Sequence, residues 1–355
     1  MVINFILSSI NDHHFLKRVQ EFLDHGYEVV VYGFRRKDLP LPKTSFPIIE
    51  VGEIACGNYF DRLALFYRQI KQIAKESSDG IFFYSSLDIA LFATHIIKSP
   101  YLYEICDLTE LTISNPILRN ILIWQNRRII HKSLKTIITS EGFAEFYKSI
   151  DINKFALIPN RVSPYCSLPL PKNRKFDIFN INIGFVGIIR FDTVYNFIRV
   201  ASECSNVTMH LFGIYANGDS VSNEIKRVVE KHDNIIFHGP FQNPIDLPRI
   251  YQQLDMVLCT YPPTPGVIYA EPNKLYEALY FRCPIIVSKD TFLGKKVARM
   301  NFGYVIDATN ADSISKFLAS IDIDEYYSKV DACTSIPLEN CININNAFFE
   351  ELKQI

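Results

Sequence analysis

At 355 residues, with 37 Lys and Arg against 38 Asp and Glu, the chain is longer than one core usually fills and carries almost no net charge. Two domains are therefore expected, and the balance argues against a nucleic-acid binder held by phosphate neutralisation. Eight cysteines (Cys56, Cys106, Cys166, Cys204, Cys259, Cys283, Cys333, Cys341) occur without a C-x-x-C pair, a pattern of free, mostly buried thiols in a reducing compartment.

From the N-terminus, Met1–Ser9 lacks a basic n-region and its apolar run is short for a signal peptide. No stretch is apolar for long enough to span a bilayer, so a cytoplasmic protein is expected. Runs near 2–8, 28–33, 48–51, 81–84, 101–105, 134–139 and 155–158 read as strands. Between them, 13–25 and 60–76 set Phe, Leu and Ile opposite Arg, Lys, Gln and Glu at helical spacing. This alternation predicts a parallel sheet covered on both faces.

The strand at 101–105 runs on through Glu104-Ile-Cys-Asp107-Leu-Thr-Glu110 into a loop. A carboxylate there, Asp107 first and Glu104 second, could take a proton from an acceptor hydroxyl. The plainer alternative has Asp107 and Glu110 capping a helix near 108–113, with Glu104 a buried, paired acid. From Leu111 to Ser140 there are Arg119, Arg127, Arg128, Lys132 and Lys135 and no acid, with Ile121, Ile123, Trp124, Ile129 and Ile130 among them. Such a basic helix suits either a solvated face or an anionic membrane surface.

Pro164, Pro169 and Pro171 followed by Lys172-Asn-Arg-Lys read as an interdomain linker over 166–180, dividing a domain of 1–165 from one of 181–325. Strands resume at 181–187, 207–212, 235–238, 256–259, 285–287 and 304–306. Two doubly wound domains in tandem fit this count, with ligands at the carboxyl ends of their strands and a cleft between the two. Phe185-Val-Gly187-Ile-Ile-Arg190 ends the first of these strands with a glycine, which lets a diphosphate approach the backbone, and a cation that could pair with it. Leu211-Phe-Gly213 ends the next strand in the same way.

Tyr269-Ala-Glu271-Pro-Asn273-Lys274-Leu-Tyr-Glu277-Ala-Leu-Tyr-Phe-Arg-Cys-Pro-Ile-Ile-Val-Ser288 carries the most chemistry. Pro272 suits a first helical turn, which leaves the amide groups of Asn273 and Lys274 outward at the positive end of the helix dipole. Glu277 follows Lys274 by three residues, so both share one face. The lysine would hold phosphate and the carboxylate two ribose hydroxyls; the bland reading is a solvated Glu/Lys pair.

The run Asn273-Lys274-Leu-x-Glu277, the short turn and Pro284-Ile-Ile resemble the donor segment of GT-B glycosyltransferases, particularly the family 4 kind that builds bacterial surface polysaccharides. The resemblance implies a GT-B α/β fold: two Rossmann-like doubly wound domains facing across a cleft. It implies a hexosyltransferase-like, metal-independent transferase that uses no cofactor beyond its nucleoside diphosphate sugar, with UDP favoured. The acceptor would be a glycan or lipid-linked glycan for capsular, exo- or lipopolysaccharide, met at the inner face of the plasma membrane, with residues 111–140 as the contact.

Gly213 would then border the donor base, and His13 and His14, after the first strand, would lie on the acceptor side. Vicinal histidines point apart, so no metal site is expected of them. The tail of 326–355 would cross back to the first domain. One departure stands out: the family often has two glutamates with seven residues between them, but Glu271 lies six before Glu277 and Tyr269 eight before. The family often has a histidine in its first domain, and none neighbours Asp107 in sequence, which tilts the reading toward inversion of the anomeric centre; if Asp107 is only structural, a retaining mechanism stays open. Two other readings fit the same residues, a sugar-nucleotide epimerase and a non-catalytic nucleotide-sugar-binding partner of another transferase.

Overall fold

In the computed structural model, which describes residues 1–37, 39–54, 59–77, 79–172 and 175–354, the first strands and helices alternate as β1 (Val2–Leu7), α1 (His13–Asp24), β2 (Glu28–Arg36), β3 (Ile49–Ile54), α2 (Tyr59–Glu76), β4 (Ile81–Tyr84), α3 (Leu87–Ile96), β5 (Tyr101–Ile105), α4 (Pro116–Lys132), β6 (Lys135–Ile138), α5 (Glu141–Phe146) and β7 (Phe155–Leu157). The strands pair in parallel in the order β3-β2-β1-β4-β5-β6-β7. Every residue of β4, β5 and β6 is buried, which is why these strands read as continuous apolar runs. Phe5 stacks on Phe83 with centroids 4.6 Å apart, and Phe22 of α1 meets Phe5 edge-on at 5.3 Å.

The second series is β8 (Ile181–Ile189), α6 (Asp192–Ser202), β9 (Val207–Tyr215), α7 (Ser220–Lys231), β10 (Ile235–Gly239), α8 (Leu247–Gln252), β11 (Met256–Cys259), α9 (Asn273–Tyr280), β12 (Ile285–Ser288), α10 (Phe292–Met300), β13 (Gly303–Ile306), α11 (Ala311–Ala319), α12 (Ile323–Thr334) and α13 (Asn346–Leu352). Its parallel sheet runs β10-β9-β8-β11-β12-β13. In each sheet the order reverses once, beside β1 and beside β8. The carboxyl ends flanking such a reversal leave a crevice where doubly wound proteins hold ligands.

Two units result, Met1–Ile158 with Asn345–Ile355, and Pro159–Ile344. The stretch read as a linker packs on the second unit: Lys172 Nζ donates to the Tyr251 carbonyl at 2.9 Å, and Phe176 stacks on Tyr326 at 3.8 Å. Its prolines suggested a linker, and Cys166 and Phe176 are buried anchors within it. The tail divides. α12 stays with the second unit, its start capped by Asp322 accepting from the Glu325 amide at 2.9 Å. Only the last helix joins the first unit, because Phe349 and Leu352 are buried there and Phe349 lies 5.0 Å from Phe22. Of the cysteines, Cys166, Cys259, Cys283, Cys333 and Cys341 are buried and free, and Cys106 and Cys204 are half-buried and free; Cys56 lies outside the described residues.

Candidate functional site

In the second unit the chemistry gathers at the carboxyl end of β8. Gly187 and Gly213 are register partners in β8 and β9, and both hold positive φ, 133° and 137°. A Cβ on Gly213 would sit 1.9 Å from the Gly187 carbonyl oxygen, and one on Gly187 would sit 3.1 Å from Lys274 Nζ. Any side chain at either position would push the strands apart or displace the lysine. The strand does not end at Gly187, as the sequence suggested, but runs on to Ile189.

Lys274 enters this space from the first turn of α9. Pro272 is the cap of that helix rather than its first residue, and no side chain caps the start. Lys274 is only 7% exposed. Its Nζ lies 4.6 Å from the Phe185 ring centroid and 5.7 Å from that of Tyr261. Among the described residues no carboxylate comes within ion-pair range of it and no acceptor within hydrogen-bond range. A buried ammonium set against aromatic faces is costly unless an anion joins it.

Arg190 is exposed at the end of the same strand, its guanidinium 4.6 Å from the Phe191 ring. The Phe191 ring lies 5.2 Å from that of Tyr261, so two aromatic rings link the two cations. Asn273 is exposed at the helix start.

Glu277, one turn into α9, is 5% exposed. Its Oε2 accepts from the Tyr251 hydroxyl at 2.9 Å and its Oε1 from Asn243 Nδ2 at 3.4 Å. Burial and the Glu277 carboxylate push the Tyr251 hydroxyl well above its usual pKa, so it stays a donor. Tyr251, from α8, thus orients the carboxylate. Glu271 is fully buried in its side chain and forms an ion pair with Lys296 of α10 at 2.5 Å. Lys296 carries no signal in sequence because it approaches from the helix after the next strand.

In the first unit, Glu104 at the end of β5 is fully buried. Its Oε1 accepts from Arg18 Nε at 3.1 Å and Nη2 at 2.9 Å, and lies 2.9 Å from His14 Nε2. Burial alone would raise this carboxyl; Arg18 and His14 outweigh it and hold it at about 2. A group so acidic, with Oε1 so engaged, is a poor proton acceptor. It ties the end of β5 to α1.

Asp107 is exposed and lines a cavity of about 440 Å³ together with Asp12, Glu104 and Glu110. It does not begin a regular helix: the turn after it is a 3-10 segment over Thr109–Thr112 without a side-chain cap. His13 is exposed at the start of α1, while His14 turns inward to Glu104. His14 of α1 thus reaches the end of β5, where its partner is Glu104 rather than Asp107. His14, Glu104 and Cys106 offer ligand atoms within 4.8 Å of one another. Arg18 already neutralises Glu104, and burial together with Glu104 pushes the Cys106 thiol up, so the group is organised as an ion pair rather than as a dication site.

The basic stretch also resolves. Lys135 is buried in β6 and paired with Glu351 at 2.5 Å. On α4, Ile117, Leu118, Ile121 and Trp124 are exposed beside Arg127, Arg128 and Lys132, with the Arg128 guanidinium 4.8 Å from the Trp124 ring. No helix among the described residues is long and apolar enough to cross a membrane.

Two parallel sheets, each with one reversal of strand order and charged side chains at its strand ends, define a tandem doubly wound α/β fold. Comparison with solved structures assigns the fold more closely. The chain matches a sucrose-phosphate synthase from Thermosynechococcus elongatus with a TM-score of 0.72 at 14% identity, covering 100% of this chain and 98% of that one. It matches HepE of Anabaena, solved with UDP and glucose, with a TM-score of 0.70 at 14% identity over 100% of both chains. The lipopolysaccharide glycosyltransferase WaaG matches with a TM-score of 0.66 at 16% identity, over 96% and 97%. The fold is GT-B. No protein-family profile and no curated protein sequence matches the chain.

Proposed function

We propose that this protein is a glycosyltransferase that moves a hexose from a UDP-linked donor, held by the second unit, to a glycan or lipid-linked glycan acceptor held by the first. The buried Lys274 ammonium carries the reading, since a diphosphate is the anion its surroundings lack. The bond from the anomeric carbon to the diphosphate oxygen breaks and a bond to the acceptor oxygen forms. The acceptor proton passes to Asp107, and UDP leaves with its new charge met by Lys274, Arg190 and the α9 start. Glu277 accepts from the ribose hydroxyls. This charge set does the work often given to a metal, so the reaction is read as metal-independent. HepE has been solved with UDP and with UDP-glucose, which supports UDP as the nucleotide. Capsular, exo- or lipopolysaccharide synthesis is the setting that the resemblance favours.

A thermal-shift screen of UDP-, GDP- and CMP-sugars tests the donor. At a hundredfold excess over Kd, a true ligand stabilises the fold by about 2.7 kcal/mol; no shift with any of them would refute the reading. Lys274→Met is expected to weaken UDP binding by about 1.5–3 kcal/mol, the worth of hydrogen bonds to a charged group. Calorimetry should show a loss of about 1–3 kcal/mol for Glu277→Ala, with a smaller loss for Tyr251→Phe, which leaves the carboxylate present but less fixed. Equal affinity in all three variants would remove the ribose and phosphate assignments together.

The exposed face of α4, apolar and basic at once, fits peripheral contact with an anionic lipid surface. Vesicles rich in anionic lipid should retain the protein at low salt and release it at high salt. Trp124→Ala with Arg128→Ala should abolish retention, and equal retention of that variant would assign the face to solvent.

A further inference from the structure

The cavity in the first unit has features that the transfer chemistry leaves unused. It opens at the carboxyl ends of β1, β4 and β5, and its lining includes Asp12, Asp88, Glu104, Asp107 and Glu110. Arg62 is the one Lys or Arg among the lining residues, and it is tied to Asp88 at 2.5 Å. Glu110 is 1% exposed. Its Oε1 accepts from Asn126 Nδ2 at 3.1 Å and from the Tyr147 hydroxyl. Burial, then Glu110, raises the Tyr147 pKa, so Tyr147 remains a donor.

The other oxygen, Oε2, is buried and has no hydrogen-bond partner, and the same is true of Glu104 Oε2. Two buried carboxylates in one cavity thus each keep an oxygen with no protein donor. Each such vacancy costs free energy that a donating ligand would recover.

We propose that this cavity binds a sugar that presents hydroxyl or ammonium donors and no phosphate or carboxylate, and that Glu104 and Glu110 select it. The proposal deepens the reading of the first unit as the acceptor side and rests on it. A carboxylate oxygen accepts from a sugar hydroxyl as readily as from a protein donor, whereas an anionic substituent would meet five carboxylates against one guanidinium, Arg62, whose Nη2 is taken by Asp88 and which keeps its Nε to offer. Phe15, Leu91, Tyr103, Ile113 and Leu122 supply apolar surface for the C–H face of the ring, and the volume falls within the usual range for small-ligand sites.

The test is saturation-transfer NMR titration of the full chain with methyl glucoside, methyl galactoside, methyl mannoside, glucosamine, glucuronate and glucose 6-phosphate. At least one of the first four should bind saturably, and the last two at least tenfold more weakly. Glu110→Gln should weaken the bound sugar tenfold or more. Ile113→Trp, at the half-buried rim, should block it while leaving the melting curve intact, which guards against a folding defect in the first variant.

Equal binding of the anionic sugars, no binding of any neutral or amino sugar, or unchanged affinity in both variants would overturn the proposal. UDP binding read in parallel keeps the two readings apart. Sugar binding without a UDP shift would sink the transfer reaction and leave the pocket standing; a UDP shift without sugar selectivity would do the reverse.

Discussion

Asparagine in place of Asp107 is expected to cut sugar transfer roughly 10²- to 10⁴-fold, the usual worth of a general base, while UDP binding is unchanged. Glu104 accepts from Arg18 and His14 and is held at about 2, which makes it a poor base, and of the other carboxylates lining the cavity Asp107 is the exposed one. Its exposure also means that the change should not disturb the core. The informative measurement is kcat with saturating donor and acceptor, together with the donor Kd. A fall in kcat with constant Kd supports a chemical role. Full activity would reduce Asp107 to part of the pocket wall, and a retaining mechanism without a protein base would then be the one to pursue.

Glu104→Gln is expected to destabilise the first unit by about 3–5 kcal/mol, the cost of breaking a buried ion pair from one side. Arg18, 3% exposed, would lose the charge of its principal partner and, among the described residues, keep the Glu21 carboxylate and the Ile158 carbonyl. For a unit of this size such a loss lowers Tm by roughly 10 °C or more. Replacing both partners with apolar residues, Arg18→Met with Glu104→Leu, should recover much of the loss, because no charge is then left buried.

The pH dependence has a definite sign. The carboxyl titrates near 2 in the fold against a usual 4.5, so its contribution is complete above the unfolded value and is lost as pH falls from about 4.5 toward 2. The wild type should lose stability across that window more steeply than the double variant. Parallel acid-melting curves for the two proteins would remove the ion pair from the account of stability.

The strands were legible in the sequence because β-branched runs buried on both faces leave a continuous apolar signal, and the segments near 81–84, 101–105, 256–259 and 285–287 all became strands. The segment Asn273–Glu277 was legible because helix start, lysine and glutamate lie within one helical turn, where spacing alone fixes which side chains share a face. Glycines 187 and 213 could be named, but that they face each other across two paired strands depends on register, which no local pattern encodes.

What the sequence determined by itself was therefore local: two runs of alternating strand and helix, and a helix start that sets Lys274 and Glu277 on one face. What only the tertiary structure decided was the pairing of charges. Lys296 reaches Glu271, Tyr251 holds Glu277, and His14 and Arg18 converge on Glu104 from some 90 residues away. The physical reason is that a charge's ionisation and role depend on which groups surround it after burial, and those groups come together only when distant segments pack.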